Sequence, residues 1–166
     1  MPMTMLRGVA VLVAALNMQL SAQSSPTPKS SVVFVCEHGA AKSVIATAYF
    51  NKLAAERGLP DRAIFRGTTP QEALSMSAVA GLRADGLAIP DGKPTAIAGT
   101  DISQATHIFA IGCVLPSAAV ASGKSSDWSD VPDDQGYAAT RDAILRHVKT
   151  LLDELQRQRK LITPSA

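Results

Sequence analysis

The chain has 166 residues, 46% of them hydrophobic, and 16 basic residues against 14 acidic ones give a net charge of +2. Charge this close to balance leaves no footprint for nucleic acid or for an anionic membrane surface. Two cysteines are too few for a disulfide scaffold, and no internal repeat is visible.

Residues 1–24 read as a secretory signal peptide. Arg7 precedes a short apolar run, Gly8-Val9-Ala10-Val11-Leu12-Val13-Ala14-Ala15-Leu16, and Ala22-Gln23-Ser24 offers small residues for cleavage after Ser24 or after Ala22. The run is too short to span a bilayer comfortably, and Asn17 and Gln19 interrupt the segment. The expectation is an exported protein, periplasmic or secreted, with no membrane span after cleavage. Residues 25–30, rich in Pro and Ser, form a polar linker. Residues 31–162 then make one domain.

Within it, residues 31–36 read as a buried strand. Residues 43–57 read as a helix with Val44, Ala48, Tyr49 and Leu53 on one side, ended by Gly58 and Pro60. Residues 63–67 read as a second strand. Thr69-Pro70-Gln71-Glu72 has the form of a capping box, which predicts a helix from there to residue 84 or 85, where Gly86 stops it. A connection over 88–100 and a capped turn at 101–105 lead to a third strand at 107–111. Loop or short helix follows, then a short fourth strand at 127–129. Residues 136–160 carry a helical stripe of Ile144, Leu145, Val148, Leu151, Leu152 and Leu155, with Asp142–Arg146 and Asp153–Arg157 spaced as (i, i+4) ion pairs. Strands alternating with helices imply an α/β domain: an open parallel sheet with helices on both faces. Ligands of such sheets bind at the carboxyl ends of the strands, where Cys36 stands.

The richest stretch is Val32-Val33-Phe34-Val35-Cys36-Glu37-His38-Gly39-Ala40-Ala41-Lys42-Ser43. A strand, a tight loop and a helix start point backbone N–H groups into one small volume beside the positive end of a helix dipole, which makes an anion site. A cysteine at its base has its thiolate stabilised by the same field and faces the bound oxyanion. Gly39 suits the left-handed backbone of such a loop. Ser43 either caps the helix or hydrogen-bonds the thiolate.

These residues resemble the low-molecular-weight protein tyrosine phosphatase superfamily, including its arsenate reductase branch. The family carries C-x5-R-S after the first strand, and Cys36 to Ser43 reads C-EHGAA-K-S. Phe65-Arg66-Gly67-Thr68 is similar to the family's S-A-G-T stretch, and Ile108-Phe109-Ala110-Ile111-Gly112-Cys113 to the run ending in M-G-C of the reductases. Trp128-Ser129-Asp130-Val131-Pro132-Asp133 is similar to the late segment that carries the family's acid. The resemblance spans about residues 31–160 and implies a four-stranded sheet in the order 2-1-3-4. It also implies that Cys36 attacks phosphorus or arsenic, that the amides of residues 37–42 (Glu37, His38, Gly39, Ala40, Ala41 and Lys42) hold the oxygens, that Ser43 supports the thiolate, and that Asp133 is the acid.

The chain departs from that pattern at three places. First, Lys42 replaces the arginine, offering a point charge for a planar fork. In the same loop Gly39 replaces an asparagine, a milder change. Second, Asp134 stands where a proline is usual, so Asp130, Asp133 and Asp134 compete for the acid's role. Third, the reductase branch needs further cysteines to pass oxidation outward: Cys113 matches the first, and Val114 to Asp127 contain no second. Phosphate, arsenate or a phosphomonoester is the expected partner, with no cofactor and no metal. Three functions follow: a phosphatase-like hydrolase, an arsenate-reductase-like redox enzyme, or an oxyanion-binding module without catalysis. Cys113 is a candidate redox partner, since the implied strand order puts it beside Cys36 at one sheet edge, within reach of a disulfide. His38 lies in the loop and is placed to meet the anion. His107 and His147 read as boundary residues, and Trp128 as a packed one.

Overall fold

The computed structural model describes residues 30–162, so the signal-peptide reading of 1–24 lies outside the described residues. Four parallel strands, β1 (Ser30–Cys36), β2 (Arg62–Gly67), β3 (His107–Ala110) and β4 (Ser125–Asp127), form one sheet in the order β2-β1-β3-β4. Five helices surround it: α1 (Lys42–Glu56), α2 (Met76–Ala84), α3 (Gly99–Gln104), α4 (Ser117–Ala121) and α5 (Gly136–Ile162).

The two faces follow from the period of two in β1. Val32, Phe34 and Cys36 turn toward α1 and α5, while Val33 and Val35 turn toward α3 and α4. An aromatic group fills the first face. Phe34 packs on Phe50, Phe109 and Trp128, with Phe109 and Trp128 at 4.6 Å between ring centres. Trp128 is buried, as read from the sequence. Helix α1 is the central element, and every residue from Ser43 to Phe50 is buried.

Several elements differ from the sequence reading. β1 takes Ser30 from the expected linker. The capping box at Thr69 does not form: α2 starts at Met76, with the Ser75 hydroxyl accepting from the Ala78 amide. The amides of Thr68, Thr69, Gln71 and Ser75 instead bond the carbonyls of Cys36, Glu37, His38 and Ala40. Tertiary pairing thus outweighs a local cap. β4 lies two residues earlier than expected, although the Trp128 amide extends its pairing to the Ala110 carbonyl. On α5, Asp142 pairs with Arg141, and Asp153 with Arg57 of the α1 terminus, so neither (i, i+4) bridge is made.

Candidate active site

Cys36 ends β1 at the carboxyl edge of the sheet, and the loop 37–41 carries the chain to α1. The pairing with residues 68–75 decides which way this loop faces. Its carbonyls at Cys36, Glu37, His38 and Ala40 point outward into that segment. Across a trans peptide the next N–H points the opposite way, and no peptide is cis. The amides of Glu37, His38, Gly39 and Ala41 are therefore turned into the loop. That is the cradle geometry of an anion site.

Two glycines make the pairing close. Gly39 has φ +60°, and a Cβ there would lie 2.8 Å from the Gly67 nitrogen; a Cβ on Gly67 would lie 2.9 Å from the Gly39 nitrogen. The backbones of the loop and of the β2 end touch with no room for a methyl group.

The Cys36 sulfur sits at the base, nearly buried, 3.2 Å from the Ser43 hydroxyl. This resolves the role of Ser43: the N-cap position is Ala41, without a side-chain cap, and Ser43 contacts the sulfur. Lys42 lies against Gly112, where a Cβ would come within 2.6 Å of its Nζ, and forms an ion pair with Asp133. Cys36, Glu37, His38, Lys42 and Asp133 line one cleft of about 470 Å³, with Tyr137 of α5 as a wall.

Of the three late acids, the structure brings Asp133 to the cleft. Asp130 is held by His147 at 2.7 Å, whose ring stacks on Trp128. The His38 Nδ1 lies 3.3 Å from the Thr69 carbonyl, which only accepts, so that bond places the proton on Nδ1. No group of His, Cys, Asp or Glu among the described residues is arranged to hold a metal.

Cys113 does not join the site. Both cysteines are free. Cys113 packs on the α3/α4 face, with its sulfur 3.4 Å from the Val35 carbonyl, while Cys36 faces α1. Burial, and then the neighbouring Cys36 sulfur, push the Cys113 thiol up to about 11. No disulfide joins the two cysteines in this structure, and their side chains pack in different clusters, Cys36 against α1 and Cys113 against the α3/α4 side.

A group absent from the sequence reading braces the cleft. Asp85, at the end of α2, accepts hydrogen bonds from Tyr49 and Tyr137, each at 2.7 Å, and pairs with Arg141. The Tyr137 ring lies directly on Gly81. Its neighbour on α5, Thr140, donates to the Pro132 carbonyl at 3.0 Å, one residue before Asp133. The only sequence signal was Gly81 inside a helix, a mark of close approach.

Solved structures with this architecture match nearly end to end. A low-molecular-weight protein tyrosine phosphatase from Bacillus subtilis superposes with a TM-score of 0.66 at 17% identity, over 77% of this chain and 98% of that one. The fold is that of the low-molecular-weight phosphatases and arsenate reductases. The YwlE arginine phosphatase, also from Bacillus subtilis and with a phosphorylated active-site serine, gives a TM-score of 0.69 at 19% identity, over 78% of this chain and 98% of that one. An arsenate reductase from Archaeoglobus fulgidus gives 0.57 at 26% identity, over 74% and 98%. No family model and no curated protein sequence matches the chain. Within this phosphatase-type fold, Cys36 and its loop occupy the carboxyl edge of β1 beside both neighbouring strands.

Proposed function

We propose that the protein is a phosphomonoester hydrolase that works through a cysteinyl-phosphate. The observation that carries this reading is the contact of Cys36 with Ser43 at the base of an amide-lined loop whose mouth holds the Lys42–Asp133 pair. The Cys36 thiolate attacks phosphorus and the bond to the leaving oxygen breaks. Asp133 gives that oxygen a proton. Water then attacks the phosphocysteine, Asp133 takes its proton, and inorganic phosphate leaves with the thiolate restored. The inward amides and Lys42 hold the oxygens that gain charge. The proton on His38 Nδ1 leaves Nε2 for the substrate.

The resting ion pair does not block this. Asp133 is 74% exposed and free to swing into solvent, although the Lys42 side chain is largely buried. Charge-assisted bonds to an incoming phosphate are each worth about 1.5–3 kcal/mol, so the phosphate takes Lys42. The reductase reading needs a relay of thiols, and the placement of Cys113 on the other face of the sheet disfavours it. The short apolar run and small-residue flank before residue 25 support an exported protein, which N-terminal sequencing from the host would check. An intact Met1 on cytosolic material would remove that part of the proposal.

The test is hydrolysis of an aryl phosphate by the wild type and by Cys36→Ser. Turnover that vanishes in the variant, with a phosphoryl adduct on Cys36 after rapid acid quench, supports the mechanism. Phosphate binding without any turnover by the wild type supports the non-catalytic module instead.

A further inference from the structure

A second cleft, of about 570 Å³, lies between α1, the outer edge of β2 and residues 86–91. It is of similar size to the cleft over Cys36, and none of its lining residues belongs to that site. Its walls are apolar and polar in nearly equal measure, with Ala48, Phe65, Leu87 and Ile89 on the apolar side and Thr47, Asn51 and Asp91 on the polar side. Two polar groups there lack partners.

The first is the Thr47 hydroxyl. Thr47 is 2% exposed, and its Oγ1 has no hydrogen bond, alone among buried side-chain N and O atoms of the described residues. A helical threonine can satisfy this oxygen on the carbonyl one turn back; here that bond is not made. Buried hydroxyls without a partner are uncommon, and each calls for an explanation.

The second is the Phe65 amide. The Thr68 amide bonds the Cys36 carbonyl of β1, so by the period of two Ile64 and Arg66 also turn inward, and Ala63, Phe65 and Gly67 turn to the outer edge. Asn51 takes both backbone groups of Ala63, at 2.8 and 3.0 Å. Thr95 and Ile97 take both groups of Gly67. Arg66 donates to the Phe65 carbonyl. The Phe65 N–H, between these two clasps, has no partner among the described residues and borders the cleft.

The charges around it select against an anion, and the two donors, a hydroxyl and an amide N–H, call for an acceptor rather than a cation. Lys52 is paired with Glu56 and Arg66 with Asp101, while Asp91 lines the cleft and repels anions. We propose that this cleft binds a small uncharged molecule with one apolar part and a carbonyl oxygen that accepts from Thr47 and Phe65. A volume in this range is typical of small-molecule sites. Thr47 stands one helical turn from Ser43, whose hydroxyl touches the Cys36 sulfur, so the occupant rests on the same helix as the nucleophile. The proposal does not depend on the phosphatase reading.

Acetophenone is a suitable probe, with ethylbenzene as the control that lacks the oxygen. Both are titrated into the full chain at equal concentration and followed by amide resonances. Acetophenone is expected to shift the Phe65 amide and residues 86–91 saturably, with ethylbenzene much weaker. Thr47→Val keeps the shape and removes the hydroxyl, and is expected to weaken binding about fivefold. Ala88→Phe, at an exposed lining position, is expected to abolish binding and leave aryl phosphate turnover unchanged. No shift at Phe65, equal binding of the two probes, equal binding by a folded Thr47→Val, or shifts confined to residues 36–43 would each overturn the proposal.

Discussion

Gly67→Ala isolates the contact that sets the shape of the loop. Gly67 lies in β2, where alanine is conformationally free to sit, so the substitution carries no left-handed strain. Its Cβ would meet the Gly39 nitrogen at 2.9 Å, the His38 carbonyl carbon at 3.0 Å and the Glu37 oxygen at 3.1 Å. All three atoms are backbone, so no side chain can rotate away. Relief to ordinary contact, which begins at 3.4 Å, requires the loop to retreat by roughly half an ångström. Overpacking of this kind costs about 1–3 kcal/mol, which for a domain of this size lowers Tm by roughly 3–15 °C. The displaced atoms include those beside the inward amides, and misplacement approaching 1 Å can cost about 10²-fold in rate; a loss of about 10–100-fold in kcat/KM is expected. Gly58→Ala is the control: Gly58 has φ +67° and open space around it, so it adds about 1–2 kcal/mol of backbone strain and leaves the rate alone. Thermal unfolding and aryl phosphate hydrolysis read both effects. A Gly67→Ala protein with wild-type Tm and wild-type turnover would refute the back-to-back placement of the two glycines.

Gly112→Ala is expected to lower kcat/KM more than its stability cost explains, because a Cβ at φ +63° falls 2.6 Å from Lys42 Nζ and pushes the cation off its seat; the check is turnover beside a denaturation curve. Lys42→Arg is expected to raise kcat by about tenfold, since one aimed donor is typically worth about 10²–10³ and lysine supplies part of it. A slower arginine variant would detach Lys42 from this chemistry. The chain has two tyrosines, both bonded to Asp85, so phenolate absorbance reads that brace alone. Burial, then the bond to Asp85, push Tyr49 up to about 12, and the same causes raise Tyr137 further. Each tyrosine's contribution is full below the unfolded value near 10 and lost as pH rises through the folded one, so no phenolate should form in the folded protein at about pH 10.5. The two hydroxyls hold Asp85 below the usual carboxylate range, so its contribution is full above about pH 4 and is lost as pH falls through the lowered value. Asp85→Asn is expected to flatten that acid limb and to cost roughly 2 kcal/mol at neutral pH, a partly solvated charged bond being the main loss.

The parts of this fold legible in the sequence are those set by neighbours along the chain. The apolar run 32–36, the glycine at 39 and the stripe from Ile144 to Leu155 each announce their element through spacing alone. What stayed hidden depends on partners far away in sequence. Thr69 satisfies every local rule for a cap, yet its amide serves the Glu37 carbonyl. Asp130, Asp133 and Asp134 are chemically equivalent on paper. Their different surroundings come from His147, which holds Asp130 from α5, and from Lys42, which pairs with Asp133 at the cleft. Asp142 and Asp153 have well-spaced helical partners and take others, because exposed pairs are worth too little to dictate a rotamer.

This division bears on the lysine at position 42. The orientation of the loop amides is imposed by backbone bonds from residues 68–75 and by the Gly39–Gly67 contact. None of these involves the side chain of residue 42. The proposed oxyanion cradle thus has its shape independently of that side chain, and a change there leaves it standing. Lys42 instead acts at the rim, 12% exposed and shared between Gly112 and Asp133. In the proposed mechanism a cation so placed meets the incoming phosphate and also the charge that builds as the leaving bond breaks. A planar fork in place of the point charge would add a second donor in both states, so Lys42→Arg is expected to raise kcat and also to tighten inorganic phosphate; a gain in one alone would show which state the lysine serves.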